Sequence, residues 1–240
     1  MLSPRLALVA TLAAGLLFAA PNALAKRAEG NVIKDVMRDA HKQGLLKKVL
    51  GGSASQEEKN KLLSLYVDLY EAKVPAGDAN SWLDLTGALM TASAKVAVNR
   101  EDAADELKAA SNCGGCHKPH KKKKLKINAA SILGSATHVA AALGAAEPKY
   151  SIKEVMKEAH KSGLLKKVNG GDASADEKKK LLDLYVSMWA SKPPKGDINS
   201  WKKKAGDAIA AAAMVYLGED GGNEALKKAT ACGGCHKPHK

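Results

Sequence analysis

The sequence predicts an all-α protein made of two tandem antiparallel four-helix bundle domains, each ending in a C-x-x-C-H motif. Three observations predict it. The chain is rich in Ala, Leu, Lys and Glu, which favour helices, and aromatic residues are only 4% of it. It repeats itself without a gap: "IKDVMRDAHKQGLLKKV" from Ile33 returns as "IKEVMKEAHKSGLLKKV" from Ile152, 119 residues on. The octapeptide "CGGCHKPH" stands at Cys113 and again, by the same shift, at Cys232. So long a period, present only twice, is a duplicated domain rather than a solenoid.

Residues 1–25 read as a secretory signal. Arg5 precedes an apolar run over residues 6–20, and Ala23-Leu24-Ala25 forms a small-x-small site for cleavage after Ala25. The run is short for a membrane anchor, which needs ~20 residues. Cleavage would remove one charge, Arg5, from a formal net charge of +13. The expected organisation is a signal segment at 1–25, a first domain at 26–120, a linker at 121–149 and a second domain at 150–240. The linker opens on a Lys run and continues small and apolar to Pro148, as an Ala-rich helix or tether.

Each repeat reads as four helices. On the first, Ile33, Val36, Met37, Ala40, His41 and Gly44 form one stripe at helical spacing, and Gly51-Gly52 ends it. Ser55 with Glu58, and Ser174 with Glu177, are capping boxes for the second helix. Leu62, Leu63, Tyr66, Leu69 and Tyr70 give that helix its apolar face. Pro75 to Asp78, and Pro193 to Asp197, break it. Ser81 and Ser200 are candidate caps for a third helix opening at Trp82 and Trp201. A fourth helix runs into the octapeptide. Short connections favour antiparallel packing.

Within the octapeptide, C-x-x-C-H is the attachment pattern for c-type haem. Cys113 and Cys116, and Cys232 and Cys235, would each form a thioether with one vinyl group. His117 and His236 would bind the iron. All four Cys are used, and export is the setting for such attachment. Three rivals use the same residues. Disulfides suit an oxidising compartment, and a C-x-x-C pair can be a thiol redox centre. Both leave His117 and His236 without a role. Zinc on Cys113, Cys116, His117 and His120 would crowd four ligands into eight residues around Pro119.

The sixth iron ligand is expected upstream, from His, Met, Cys or Tyr. Among upstream His and Met, the residues matched in both repeats are Met37 with Met156 and His41 with His160. Each Met–His pair is one turn apart on the first helix, and either member can face the haem. Tyr66 and Tyr185 are also matched, but a neutral phenol is a poor ligand here.

A helical domain with C-x-x-C-H at its C-terminal end resembles class II c-type cytochromes, the cytochrome c prime group. In low-spin members a first-helix Met binds the iron. "VMR" at Val36 and "VMK" at Val155 match that place, so the resemblance favours Met37 and Met156. In five-coordinate members an apolar residue stands there and leaves a gas site. His41 and His160 depart from both patterns and keep a bis-His site open.

The function expected is an exported electron carrier or relay with two covalently attached haems c, not an enzyme. The alternatives are a haem-based gas-binding protein or a dihaem peroxidase, each of which needs an open iron position. The basic balance suits acidic redox-protein partners. Export and the lack of an aromatic-interleaved basic patch speak against nucleic acid. The Lys121–Lys124 run reads as a solvated segment, with attraction to a membrane surface as the alternative.

Overall fold

The computed structural model describes residues 32–121 and 147–240. The expected signal segment and nearly all of the expected linker lie outside these residues. The fold is all-α, with no strand among the described residues. None of their helices is long and apolar enough to cross a membrane.

In chain order the helices are α1 (Val32–Val36), α2 (Leu45–Leu50), α3 (Gln56–Glu71), α4 (Ala79–Ala97), α5 (Ala103–Ala110) and α6 (Cys113–His120). The second half repeats them as α7 (Ile152–Val155), α8 (Leu164–Gly170), α9 (Ala175–Ala190), α10 (Ile198–Leu217), α11 (Gly222–Ala229) and α12 (Cys232–His239). A π-helical segment follows α1 at Met37–Lys42 and α7 at Met156–Lys161.

The expected first helix is therefore not continuous. It widens into the π segment, closed by Gln43 N–H donating to Arg38 C=O at 2.9 Å. It then turns at Gly44, whose φ of 79° is left-handed and natural to glycine. Gly163 does the same in the second half, with φ of 85°. Gly51 and Gly52 end α2 rather than α1.

Both expected capping boxes form, at Ser55 with Glu58 and at Ser174 with Glu177. A third, Ser151 with Glu154, starts α7. The expected caps Ser81 and Ser200 are not caps. Asp78 and Asp197 hold that position and accept from the N–H of Ser81 and Ser200. Asp is as good a cap as Ser, and it stands at the extended residue where the helix begins. The expected fourth helix is two short ones, broken at Ser111 and Asn112 in the first half.

In the first half α3 and α4 run antiparallel. Gln56, opening α3, donates to the C=O of Ala97 at the end of α4, and Trp82, opening α4, donates to Ala72 at the end of α3. The buried apolar side chains form one continuous core through both halves. Most of α4 from Leu85 and of α10 from Ala205 is buried. A helix buried on all sides has neighbours on all sides, and these two lie where the halves meet.

The contact between halves is reciprocal. A Cβ at Gly206 would run into the Tyr70 ring, and one at Gly87 into the Trp189 ring. Positions 70 and 189 are equivalent in the repeat, as are 87 and 206, so the halves meet about a pseudo-two-fold axis. The same symmetry relates two polar contacts. Arg100 donates to the Asp183 carboxylate at 2.5 Å and to Ser187 Oγ at 2.8 Å. At the equivalent place, Ser64 Oγ donates to Glu219 at 2.6 Å. Lys149, expected in the linker, pairs with Asp183 at 3.1 Å and so belongs to this contact.

Candidate functional site

On α6 and α12 the C-x-x-C-H residues sit at i, i+3 and i+4, which places both thiols and the imidazole on one helical face. In the second half that face lines a cavity of about 450 Å³. Cys232, Cys235 and His236 come from α12. Met156 and His160 come from the π segment. Tyr185 and Met188 of α9 and Trp201, Lys204 and Ala208 of α10 complete the walls used below. Cofactor sites usually occupy ~300–1,000 Å³ with largely apolar walls and few polar groups.

The π segment matters to this convergence. Wider turns of this kind recur at functional sites, and here one carries both upstream candidates. Met37 and Met156 are half-buried and pack on the core. His160 Nε2 lies 3.4 Å from the Tyr185 hydroxyl, and His41 Nε2 lies 3.5 Å from that of Tyr66. Both ring pairs stand 6.1 Å apart at 49°.

The electrostatics link the same residues in both halves. Burial lowers the pKa of His41, and the charge of His117 lowers it further. Burial and His236 do the same to His160. Both upstream imidazoles are thus neutral at pH 7, as a metal ligand must be. Burial raises the pKa of the Tyr66 phenol, helped by Cys116 and then Cys113. The first-half residues therefore lie within electrostatic reach of one another, as their equivalents do.

The four cysteines are free, with Cys113 and Cys232 exposed. Burial and then Cys113 push the Cys116 thiol up to about 11. Burial also raises Cys235, against the pull of Lys204. A reactive thiol pair needs a thiolate at neutral pH, and burial opposes one at Cys116 and Cys235.

The second His of each octapeptide has another task. His120 and His239 are each 3% exposed. Of His120, Nδ1 lies 2.7 Å from the Ala76 carbonyl and Nε2 3.2 Å from Ser81 Oγ. The carbonyl can only accept, so Nδ1 carries the proton and a neutral ring accepts from the hydroxyl. His239 repeats this with Lys195 and Ser200, each at 3.2 Å. The rings stand edge-on to Trp82 and Trp201. Each latch closes over a left-handed glycine, Gly77 or Gly196, where a Cβ would strike the carbonyl of Pro119 or Pro238.

No protein-family model, curated protein or solved structure matches this chain.

Zinc on Cys113, Cys116, His117 and His120 is therefore not the arrangement found, since both nitrogens of His120 are already engaged. Among the described residues no group of three or more His, Cys, Asp or Glu is placed to hold a metal. An iron held by a porphyrin asks less of the protein: one or two axial ligands and covalent anchors. Sequence reasoning did not find the latches. Their signal was present in the matched Gly77, Ser81, Trp82 and His120 and the four residues equivalent to them. Sequence reasoning placed Tyr66 on the apolar face and set both phenols aside as ligands, but it did not find the hydrogen bond that each offers a neighbouring His.

Proposed function

We propose that the chain is an exported dihaem c-type cytochrome that carries or relays electrons, organised as two tandem four-helix bundle domains. The observation that carries this reading is the second-half cavity, where Cys232, Cys235 and His236 face Met156 and His160 across apolar walls. Cys113 and Cys116, with Cys232 and Cys235, anchor two haems c as thioethers. His117 and His236 supply the proximal imidazoles. The cofactor supplies a reversible one-electron change at iron.

For the opposite axial position, Met37 and Met156 are the better candidates. The Nε2 of His41 and of His160 is already engaged by a tyrosine hydroxyl, while Met37 and Met156 pack on the core through apolar contact. In this reading each tyrosine holds its imidazole beside the site rather than on the iron. Filled axial positions leave no place for a substrate, which favours a carrier over a gas-binding protein or a peroxidase. The high formal positive charge of the chain suits acidic protein partners.

The test is to isolate the exported chain and measure covalently bound haem by alkaline pyridine haemochrome and intact mass. Two haems per chain with low-spin spectra are expected, along with the far-red charge-transfer band of ferric iron–sulfur ligation. Changing both Met37 and Met156 to Ala should abolish that band, and changing His41 and His160 should keep it. A chain without covalent haem overturns the reading. A high-spin spectrum that responds to carbon monoxide replaces the carrier with a gas-binding protein or a peroxidase.

A further inference from the structure

The lysines lining the second cavity divide into two kinds. Lys153, Lys161 and Lys240 recur as lysines in the first half, at positions 34, 42 and 121. Lys204 does not: its equivalent is Leu85, which is buried. We propose that Lys204 binds a carboxylate of the porphyrin held in the second cavity and so makes the two haem sites unequal. This rests on the haem reading of that cavity.

The neighbours of Lys204 on α10 are already paired. Lys202 bonds Asp84 at 2.9 Å, and Lys203 bonds Asp207 at 2.5 Å. The nearby Asp207 also accepts from the Tyr70 hydroxyl at 3.1 Å. Among the described residues Lys204 forms no ion pair, and it borders both this cavity and a neighbouring groove that carries Glu71, Asp197, Asp207 and Glu224. On the cavity side the walls are largely apolar, and an anion held there would be met by the Lys204 side chain. Lys204 lines the same cavity as Cys232, Cys235 and His236. The propionate groups of a haem are the carboxylates that attachment through Cys232 and Cys235 would bring.

The consequence is electrostatic. A positive charge beside an iron disfavours its more positive oxidation state. The second site should therefore titrate at a higher reduction potential than it would with a neutral residue at position 204. In the first site Leu85 exerts no such effect.

The experiment is a spectroelectrochemical titration of the purified dihaem chain and of its Lys204→Gln and Lys204→Arg variants. Two unequal midpoints are expected in the parent. In Lys204→Gln one midpoint should fall while the other stays, and Lys204→Arg should keep the parent values. Midpoints unmoved in Lys204→Gln overturn the proposal. So does a fall of equal size in Lys204→Arg, which would make the effect one of shape. The haemochrome assay precedes the titration. A chain lacking covalent haem there overturns the haem reading and this proposal together, whereas bound haem with unmoved midpoints overturns this proposal alone.

Discussion

The same eight residues close each half, yet the chain approaches and surrounds them differently. In the first half Asn112 caps α6, accepting from the N–H groups of Gly114 and Gly115. In the second, Ala231 stands there and no side chain caps α12. Leu69, Leu85 and Leu89 of the first half become Met188, Lys204 and Ala208 around the second cavity. The latch is kept: His120 and His239 meet the same kinds of partner, 3.2 Å from the serine hydroxyl in both halves and 2.7 and 3.2 Å from the carbonyl. What places the octapeptide is the same in both halves, and what surrounds its cavity face differs. That division suits two copies of one site adjusted separately.

The largest break in this comparison should come from the shared part. Gly77 and Gly196 are left-handed, with φ of 83° and 87°. A Cβ on Gly77 would also lie 2.6 Å from the Pro119 carbonyl. Gly77→Ala and Gly196→Ala should each destabilise by about 2–5 kcal/mol, combining left-handed strain with overpacking. Chemical denaturation of the full chain reads this out. Equal losses in both halves support a common latch. A loss below about 1 kcal/mol, the ordinary range for a surface change, would mean that the octapeptide helix is held elsewhere.

The halves differ again where they meet. Arg100 and Asp183 form an ion pair with side chains only 10% and 12% exposed, whereas the symmetry-related contact carries a hydrogen bond from Ser64 to Glu219. Arg100→Ala leaves a largely buried carboxylate, although Lys149 still reaches it, and should cost about 3 kcal/mol. Ser64→Ala should cost about 1 kcal/mol. Equal costs would show that the reciprocal aromatic–glycine contacts dominate and that the polar pairs are incidental.

How much of this was legible beforehand follows from the physics of each signal. The helices with a dry face and a capping box, α3 and α9, can be read directly, because both marks are local. The pairing of Cys and His on one face is also local, and the repeat doubled it. The π segment cannot be read that way. Its residues keep an ordinary helical stripe, and nothing in their order marks the wider turn. Nor do α4 and α10 announce their burial. Thr86, Thr91, Ser93 and Lys95 are polar residues spread around the helix, yet all are buried. Thr86 and Ser93 bond back to the helix carbonyls, and Lys95 pairs with Glu106. The other half of the molecule covers Gly87 through the Trp189 ring, and a repeat read by itself contains no sign of that partner.

Acid should loosen the two contacts between halves unequally. Burial alone would raise the Asp183 carboxyl, but Arg100 and then Lys149 outweigh it and hold it below its ordinary value. A carboxylate depressed in the folded state stabilises above its unfolded pKa, and that contribution is lost as pH falls through the folded value. For Asp183 the loss therefore begins near the ordinary carboxyl value of 3.8 and continues below it. The stability of the parent should fall over that range by more than that of Arg100→Ala, measured as denaturation midpoint against pH. Parallel curves would remove Asp183 from the account.

The smallest effect tests whether the cap difference can be transferred. Asn112 has φ −63° and ψ 105°, and Ala231 has φ −58° and ψ 118°. The two backbones are nearly the same, so an Asn at 231 could reach the N–H groups of Gly233 and Gly234 as Asn112 reaches its own. A side-chain cap is worth about 1 kcal/mol against Ala. Asn112→Ala should lose that amount and Ala231→Asn should gain it, leaving the double exchange close to the parent. The gain could fall short for one reason. The N–H of Gly234 already donates to the backbone carbonyl of Ala231 at 2.9 Å, a tighter bond than the 3.2 Å between Gly115 and Asn112. In that case the first turn of α12 is satisfied by its own backbone, and Ala231→Asn would leave stability unchanged while Asn112→Ala still costs about 1 kcal/mol. Hydrogen exchange at Gly233 separates the outcomes. Its N–H, equivalent to that of Gly114, is the group a new cap would protect.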